Sequence, residues 1–196
     1  MTPQFILASG SSRRRELLDK FGFTYLVVQA DVDENLRPGE LPADYVRRIA
    51  MKKARWVAGS HDGTLPVLAA DTAVVLEGKV LGKPRDQVHA TEMLLNLSGR
   101  SHEVFSAVFL LSPGGQEAHR LCVSRVTFAP LSPEWIAAYC STGEPMDKAG
   151  AYAIQGFAAQ YINRLEGSYS GVMGLPLFET MELLRIAGIS TLPGLM

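Results

Sequence analysis

Four segments of this sequence carry side chains that together suit phosphate chemistry. The first is Ser9-Gly10-Ser11-Ser12-Arg13-Arg14, where an apolar run gives way to a helical pattern. Small residues let backbone N–H groups approach an anion, a helix start adds partial positive charge, and arginine forks match phosphate oxygens. Three consecutive cations, Arg13, Arg14 and Arg15, oppose the helix dipole and are unfavourable there without an anion. The other reading is a capped helix with a solvated basic first turn. The second segment is Asp71-Thr72, which follows Val67-Leu68-Ala69-Ala70 as if at a strand end. A carboxylate beside such an apolar stretch is costly without a partner or a role. Asp71 is a metal ligand, a proton acceptor, or an aspartate capping a turn.

The third segment, Gly82-Lys83-Pro84-Arg85-Asp86, is a proline-stiffened loop. Lys83 is there either a point charge for a phosphate or a solvated lysine. The pairs Asp33-Glu34 and Lys52-Lys53 say little singly. The fourth segment runs from Gly143 to Gly156 and carries Asp147, Lys148 and Gln155. A plain loop accounts for it, but the Gln155 amide, both donor and acceptor, suits a base edge. Carboxylates for a metal and cations for phosphates are the parts of phosphoryl-group hydrolysis. The G-x-x-x-x-G-K-[ST] phosphate loop is absent.

These groups must be positioned by the elements around them. Phe5 to Ala8 reads as a short buried strand and Arg13 to Leu18 as a helix that Ser11 or Ser12 would cap. Phe23 to Ala30 is β-rich and precedes the acidic loop Asp31 to Glu34. Pro42 to Val57 is an amphipathic helix, with Tyr45, Val46, Ile49, Ala50 and Ala54 at helical spacing. Val67 to Ala70 and Ala73 to Leu76 read as strands, Asp86 to Leu97 as a helix. Glu103 to Leu111 and Leu121 to Phe128 read as a hairpin around Pro113-Gly114-Gly115. Pro133 to Cys140 is helical, Tyr161 to Leu165 a strand and Leu177 to Ala187 a last helix. The patterning gives an α/β chain with a mixed sheet.

Composition narrows the function classes. The 196 residues carry 19 Lys+Arg against 20 Asp+Glu, a net charge of −1, with 47% hydrophobic and 20% charged residues. That balance is globular rather than disordered, and it argues against a broad basic face for nucleic acid. No apolar run approaches a membrane span and no secretory leader is legible, so the expectation is a cytoplasmic protein. Cys122 and Cys140 make no disulfide framework and read as buried thiols. His61, His89, His102 and His119 lack metal-ligand spacing and read as surface or structural. Trp56 and Trp135 sit in helical patterns and read as packing anchors. Gly167-Ser168-Tyr169-Ser170-Gly171 has tyrosine at its centre and is no nucleophile elbow.

Taken in order, these segments resemble the Maf family of nucleoside triphosphate pyrophosphatases almost end to end. Leu7-Ala8-Ser9-Gly10-Ser11-Ser12-Arg13-Arg14 resembles the family's L-A-S-x-S-P-R-R. Ala69-Ala70-Asp71-Thr72 resembles G-A-D-T, and Gly82-Lys83-Pro84 resembles G-K-P. Ser98 to Val104 resembles S-G-x-x-H-x-V; Asp147 to Gly156 and Gly174-Leu175-Pro176-Leu177 complete the set. The resemblance implies a single domain over residues 1–196: an elongated, two-lobed mixed twisted sheet flanked by helices, with a central cleft. It also implies a homodimer, a divalent cation (Mg²⁺ or Mn²⁺), and hydrolysis between the α- and β-phosphates of a nucleoside triphosphate.

By matching motif, Asp71 is implied as proton acceptor, with Glu34, Lys53 and Lys83 in the catalytic set. Ser9 and Arg14 are implied to handle phosphates, and Asp71 and Glu34 to meet the metal. Cations and metal would hold the Asp71 carboxylate ionised. Arg13, Thr72 and Gln155 resemble the specificity set of the branch acting on dTTP and UTP, not the Trp, Gln and Glu of the 7-methyl-GTP branch. The alternatives are a pyrophosphatase for another modified nucleotide and a nucleotide-binding regulator of cell division. The chain departs from the family pattern at Ser12, Ala69, Ala153 and Ser106, where proline, glycine, glycine and threonine are common.

Overall fold

A computed structural model of the chain describes residues 2–191. Among the described residues, seven strands form one mixed sheet in the order β2-β1-β3-β5-β6-β7, with β4 also paired to β3. The strands are β1 (Phe5–Leu7), β2 (Tyr25–Val27), β3 (Val67–Leu76), β4 (Lys79–Leu81), β5 (Ser101–Leu111), β6 (Glu117–Phe128) and β7 (Ile162–Glu166). The helices are α1 (Ser12–Asp19), α2 (Pro42–Ala58), α3 (Gln87–Leu97), α4 (Pro133–Ser141), α5 (Tyr169–Met173) and α6 (Leu177–Ile186). No helix among the described residues is long and apolar enough to cross a membrane.

Side chains alternate across β3, and each set meets a different core. Val67, Ala69, Ala73 and Val75 pack with Val46, Ala50, Ala54 and Val57 of α2. Leu68, Ala70, Val74 and Leu76 pack on the opposite face with Leu94 and Leu97 of α3, Ile136 of α4 and Leu183 of α6. The apolar stripe of α2 explains both its helicity and its docking, since burial of one face is what stabilises such a helix.

Three expectations need correction. Val67 to Ala70 and Ala73 to Leu76 are one continuous strand, because β5 pairs with it without interruption from Val67↔Leu111 to Val75↔Glu103. Asp71 and Thr72 therefore lie in the middle of β3, not at a strand end. Ser11 occupies the cap position of α1, but no side chain caps the helix there. The β5–β6 hairpin is found and is longer than its patterning suggests, closed by Ser112 N donating to Gln116 O at 2.9 Å. Trp135 is the anchor it was read to be, stacked 4.8 Å from Tyr139. Trp56 is not, with 42% of its surface exposed. Cys122 and Cys140 are free and buried.

The feature that positions the site is a gap in the sheet. On one side β3 is fully paired with β5. On the other, β1 reaches only Val67 and Leu68, and β4 takes over only at Val74. Between them, Ala69–Ala73 has no strand neighbour on that side. Leu68 O accepts from Ala8 N at 2.8 Å, so alternation turns the main-chain groups of Ala70 and Thr72 into the gap.

Candidate active site

A cleft of about 580 Å³ opens over this gap. Every residue implied by the sequence reading lines it: Ser9, Arg13, Arg14, Glu34, Lys53, Asp71, Thr72, Lys83 and Gln155. The charged side chains that the fold buries, Arg14, Lys53 and Asp71, all belong to this cleft. Burying charge is expensive and persists where it is paired or used.

Asp71 points from β3 toward α2, where Lys53 sits on the buried stripe one helical turn from Ile49 and Val57. The Lys53 ammonium donates to Asp71 Oδ1 at 2.8 Å and lies 3.0 Å from Glu34 Oε1. Glu34 comes from the loop after β2, and its carboxylate is half-exposed to the cleft. Burial raises the Asp71 pKa above the usual carboxylate range; Lys53 and Arg14 pull it down without cancelling that effect. The resemblance implies an Asp71 held ionised by cations together with a metal. With the protein's own groups alone, desolvation outweighs the cations because Asp71 is 5% exposed, and this makes the carboxylate a better proton acceptor.

Arg14 turns inward from the first turn of α1. Its Nε donates to Gly174 O at 2.8 Å and its Nη1 to Ser9 Oγ at 3.0 Å. Both acceptors are neutral, so a buried guanidinium faces the cleft without a carboxylate on its nitrogens. Ser9 Oγ also accepts from Ser11 N at 3.2 Å, which shapes the turn before α1. The uncapped start of α1, the Arg14 fork and the exposed Lys83 ammonium converge on one region. A polyanion fits it.

Arg13 is held by an ion pair with Asp147 at 3.2 Å, which ties α1 to the loop carrying Gln155. That loop is fixed through Gly150, whose N donates to Gly82 O at 3.0 Å. Gly150 has φ of +69°, and a Cβ there would lie 2.8 Å from Val74 Cγ1, so only glycine fits. Thr72 projects to the opposite face of β3 from Asp71. Its Oγ1 lies 2.9 Å from Ser106 Oγ and 3.4 Å from Gly174 O.

Two residues escaped the sequence reading. Ser106 was noted only as a departure. His102 read as surface or structural, yet it is 3% exposed, and its Nε2 lies 2.7 Å from Tyr152 Oη, a residue that lines the cleft. The signal for His102 was its place within an apolar β alternation; nothing local points to its pairing with Tyr152.

Fold and site together define an α/β protein built around a cleft that gathers cationic side chains about a buried acid. The chain belongs to the family described as Maf-like protein, whose profile matches residues 4–187. It is 51% identical to the dTTP/UTP pyrophosphatase of Methylobacillus flagellatus over 189 residues, 96% of this chain and 94% of the relative. It is 53% identical to the dTTP/UTP pyrophosphatase of Nitrosomonas europaea over 196 aligned positions, 94% of each chain. In fold it is similar to the Ham1 protein of Staphylococcus aureus, with a TM-score of 0.51, 14% identity and coverage of 93% of this chain and 96% of that one.

Proposed function

We propose that this chain hydrolyses dTTP and UTP to the nucleoside monophosphate and pyrophosphate. The observation that carries the reading is the Asp71–Lys53–Glu34 cluster facing a buried Arg14 across one cleft. Relatives sharing about half of its residues bear the same activity in their names.

The shared cleft and the resemblance of the motifs support the following roles. The Arg14 fork, Ser9, Lys83 and the start of α1 bind the phosphates. Asp71 takes a proton from a water molecule, whose oxygen bonds to the α-phosphorus. The bond from that phosphorus to the bridging oxygen breaks, and pyrophosphate leaves with the electron pair. Lys53 holds Asp71 and Glu34 in register for this step. Arg13, Thr72 and Gln155 contact the base.

Among the described residues no cluster of three acidic, histidine or cysteine side chains forms a closed metal cage. Two carboxylates on one cleft wall do fit Mg²⁺, which is commonly held by one or two carboxylates together with substrate phosphates. Asp71 and Glu34 would hold such an ion, which would polarise phosphate oxygens and acidify water.

The test is product analysis with dTTP, UTP, CTP, GTP and 7-methyl-GTP in the presence of Mg²⁺ or Mn²⁺. Pyrophosphate from dTTP and UTP supports the reading. Release of single phosphates, or preference for 7-methyl-GTP, overturns it.

A further inference from the structure

Selectivity at Thr72 depends on which way its hydroxyl hydrogen points, and the surrounding hydrogen bonds decide this. Ser106 lies directly across from Thr72 on β5 and is 1% exposed. Its Oγ lies 2.6 Å from the carbonyl oxygen of Gly171. A carbonyl only accepts, so the single Ser106 hydrogen is committed there. Across the 2.9 Å contact between the two hydroxyls, Ser106 must then accept and Thr72 must donate. The other acceptor near Thr72, Gly174 O, which also takes the Arg14 Nε–H, is 3.4 Å away, so the 2.9 Å contact to Ser106 is the stronger hold on the Thr72 hydrogen. With its hydrogen turned toward Ser106, Thr72 offers only lone pairs to the cleft.

We infer that Ser106 is a positioning residue for base selection: it locks the Thr72 hydroxyl as an acceptor for the imide N–H of a uracil or thymine base. Uracil and thymine carry a hydrogen on N3. Cytosine presents a lone pair at that position, which a fixed acceptor repels. The inference rests on reading the cleft as a site for UTP and dTTP, and it explains how a hydroxyl able to serve both roles is restricted to one. A side chain buried outside the cleft thus sets the polarity of one inside it.

The experiment compares kcat/KM for UTP, CTP and 3-methyluridine triphosphate, whose N3 bears no hydrogen, in the wild type and in Ser106→Ala and Ser106→Thr. One neutral hydrogen bond corresponds to about tenfold in rate or affinity. In Ser106→Ala the Thr72 hydrogen loses its 2.9 Å partner and keeps only the longer contact to Gly174 O, and the UTP:CTP ratio falls by about tenfold. Ser106→Thr keeps a hydroxyl at the same Cβ, and the ratio is retained. A loss of packing lowers both substrates together and leaves the ratio in place, so an unchanged ratio in Ser106→Ala overturns the inference. Should that variant fail to fold, the wild type decides: equal use of UTP and 3-methyluridine triphosphate overturns it, and at least about tenfold discrimination supports it. A wild type that hydrolyses neither UTP nor dTTP would instead overturn the proposed function.

Discussion

The buried His102 makes a quantitative stability prediction. Its ring stacks on Phe128 at 5.7 Å and meets the Tyr152 ring edge-on at 5.3 Å. Nε2 is satisfied by Tyr152 Oη, while Nδ1 is buried with no hydrogen-bond partner. Charging the ring would bury an unpaired cationic N–H, and burial lowers its pKa to about 4. A histidine whose folded pKa lies below its unfolded value, about 6.5, binds fewer protons folded than unfolded. Its stability contribution is therefore intact above pH 6.5 and lost as pH falls from there toward 4. Between pH 7 and pH 5 the two pKa values give a loss of about 2 kcal/mol from this residue alone. The assay is urea unfolding at both pH values for the wild type and for His102→Gln, whose amide reaches Tyr152 but does not titrate. The wild type should lose about 2 kcal/mol more than the variant over that range. Parallel losses in the two proteins would refute the argument that His102 is neutral because it is buried and half-satisfied.

The remaining predictions concern the cleft and the loop that walls it. Asp71→Asn should cut pyrophosphate release by about a hundredfold or more while nucleotide binding, followed by calorimetry, survives. Unaltered turnover would remove Asp71 from the chemistry. Without added metal, the Asp71 carboxyl followed by NMR titration should ionise above the ordinary carboxylate value, because burial raises its pKa. A midpoint at or below that value contradicts the desolvation argument. Gly150→Ala combines a left-handed backbone with a clash against Val74 and should cost about 2–4 kcal/mol. Gly78→Ala shares the positive φ but has open space at Cβ, so it should cost about 1 kcal/mol by the same denaturation assay. Equal costs would show that the Val74 contact is dispensable.

Much of this fold is legible because its signals are local. The α2 stripe declares itself by three- and four-residue spacing, and Lys53 stands out as a cation within that stripe. The β5–β6 hairpin is announced by its proline and glycines. What a sequence pattern does not carry is the length of each strand's neighbours. β3 reads as two strands because Asp71-Thr72 interrupts its apolar run, yet the partner that keeps it whole is β5, some 30 residues later. The gap beside Ala69–Ala73 exists because β1 stops early and β4 starts late, which no window of residues can reveal. The Ser106 contact to Gly171 spans 65 positions and the His102–Tyr152 pair spans 50. Such pairings follow from topology, and the local residue types do not announce them.

The gap in the sheet has a bearing on how such a protein changes over generations. Because it opens one edge of β3 to the cleft, neighbouring residues of one strand serve separate duties: Asp71 faces α2, while Thr72 faces Ser106 and Gly174. On the inference drawn for Ser106, substitutions at Thr72 or at its buried support on β5 should alter which nucleotide is accepted without moving the acid one residue away. The pleat of one strand would then let ancestry and laboratory selection search substrate range at Thr72 while the hydrolytic step is inherited unchanged next door at Asp71.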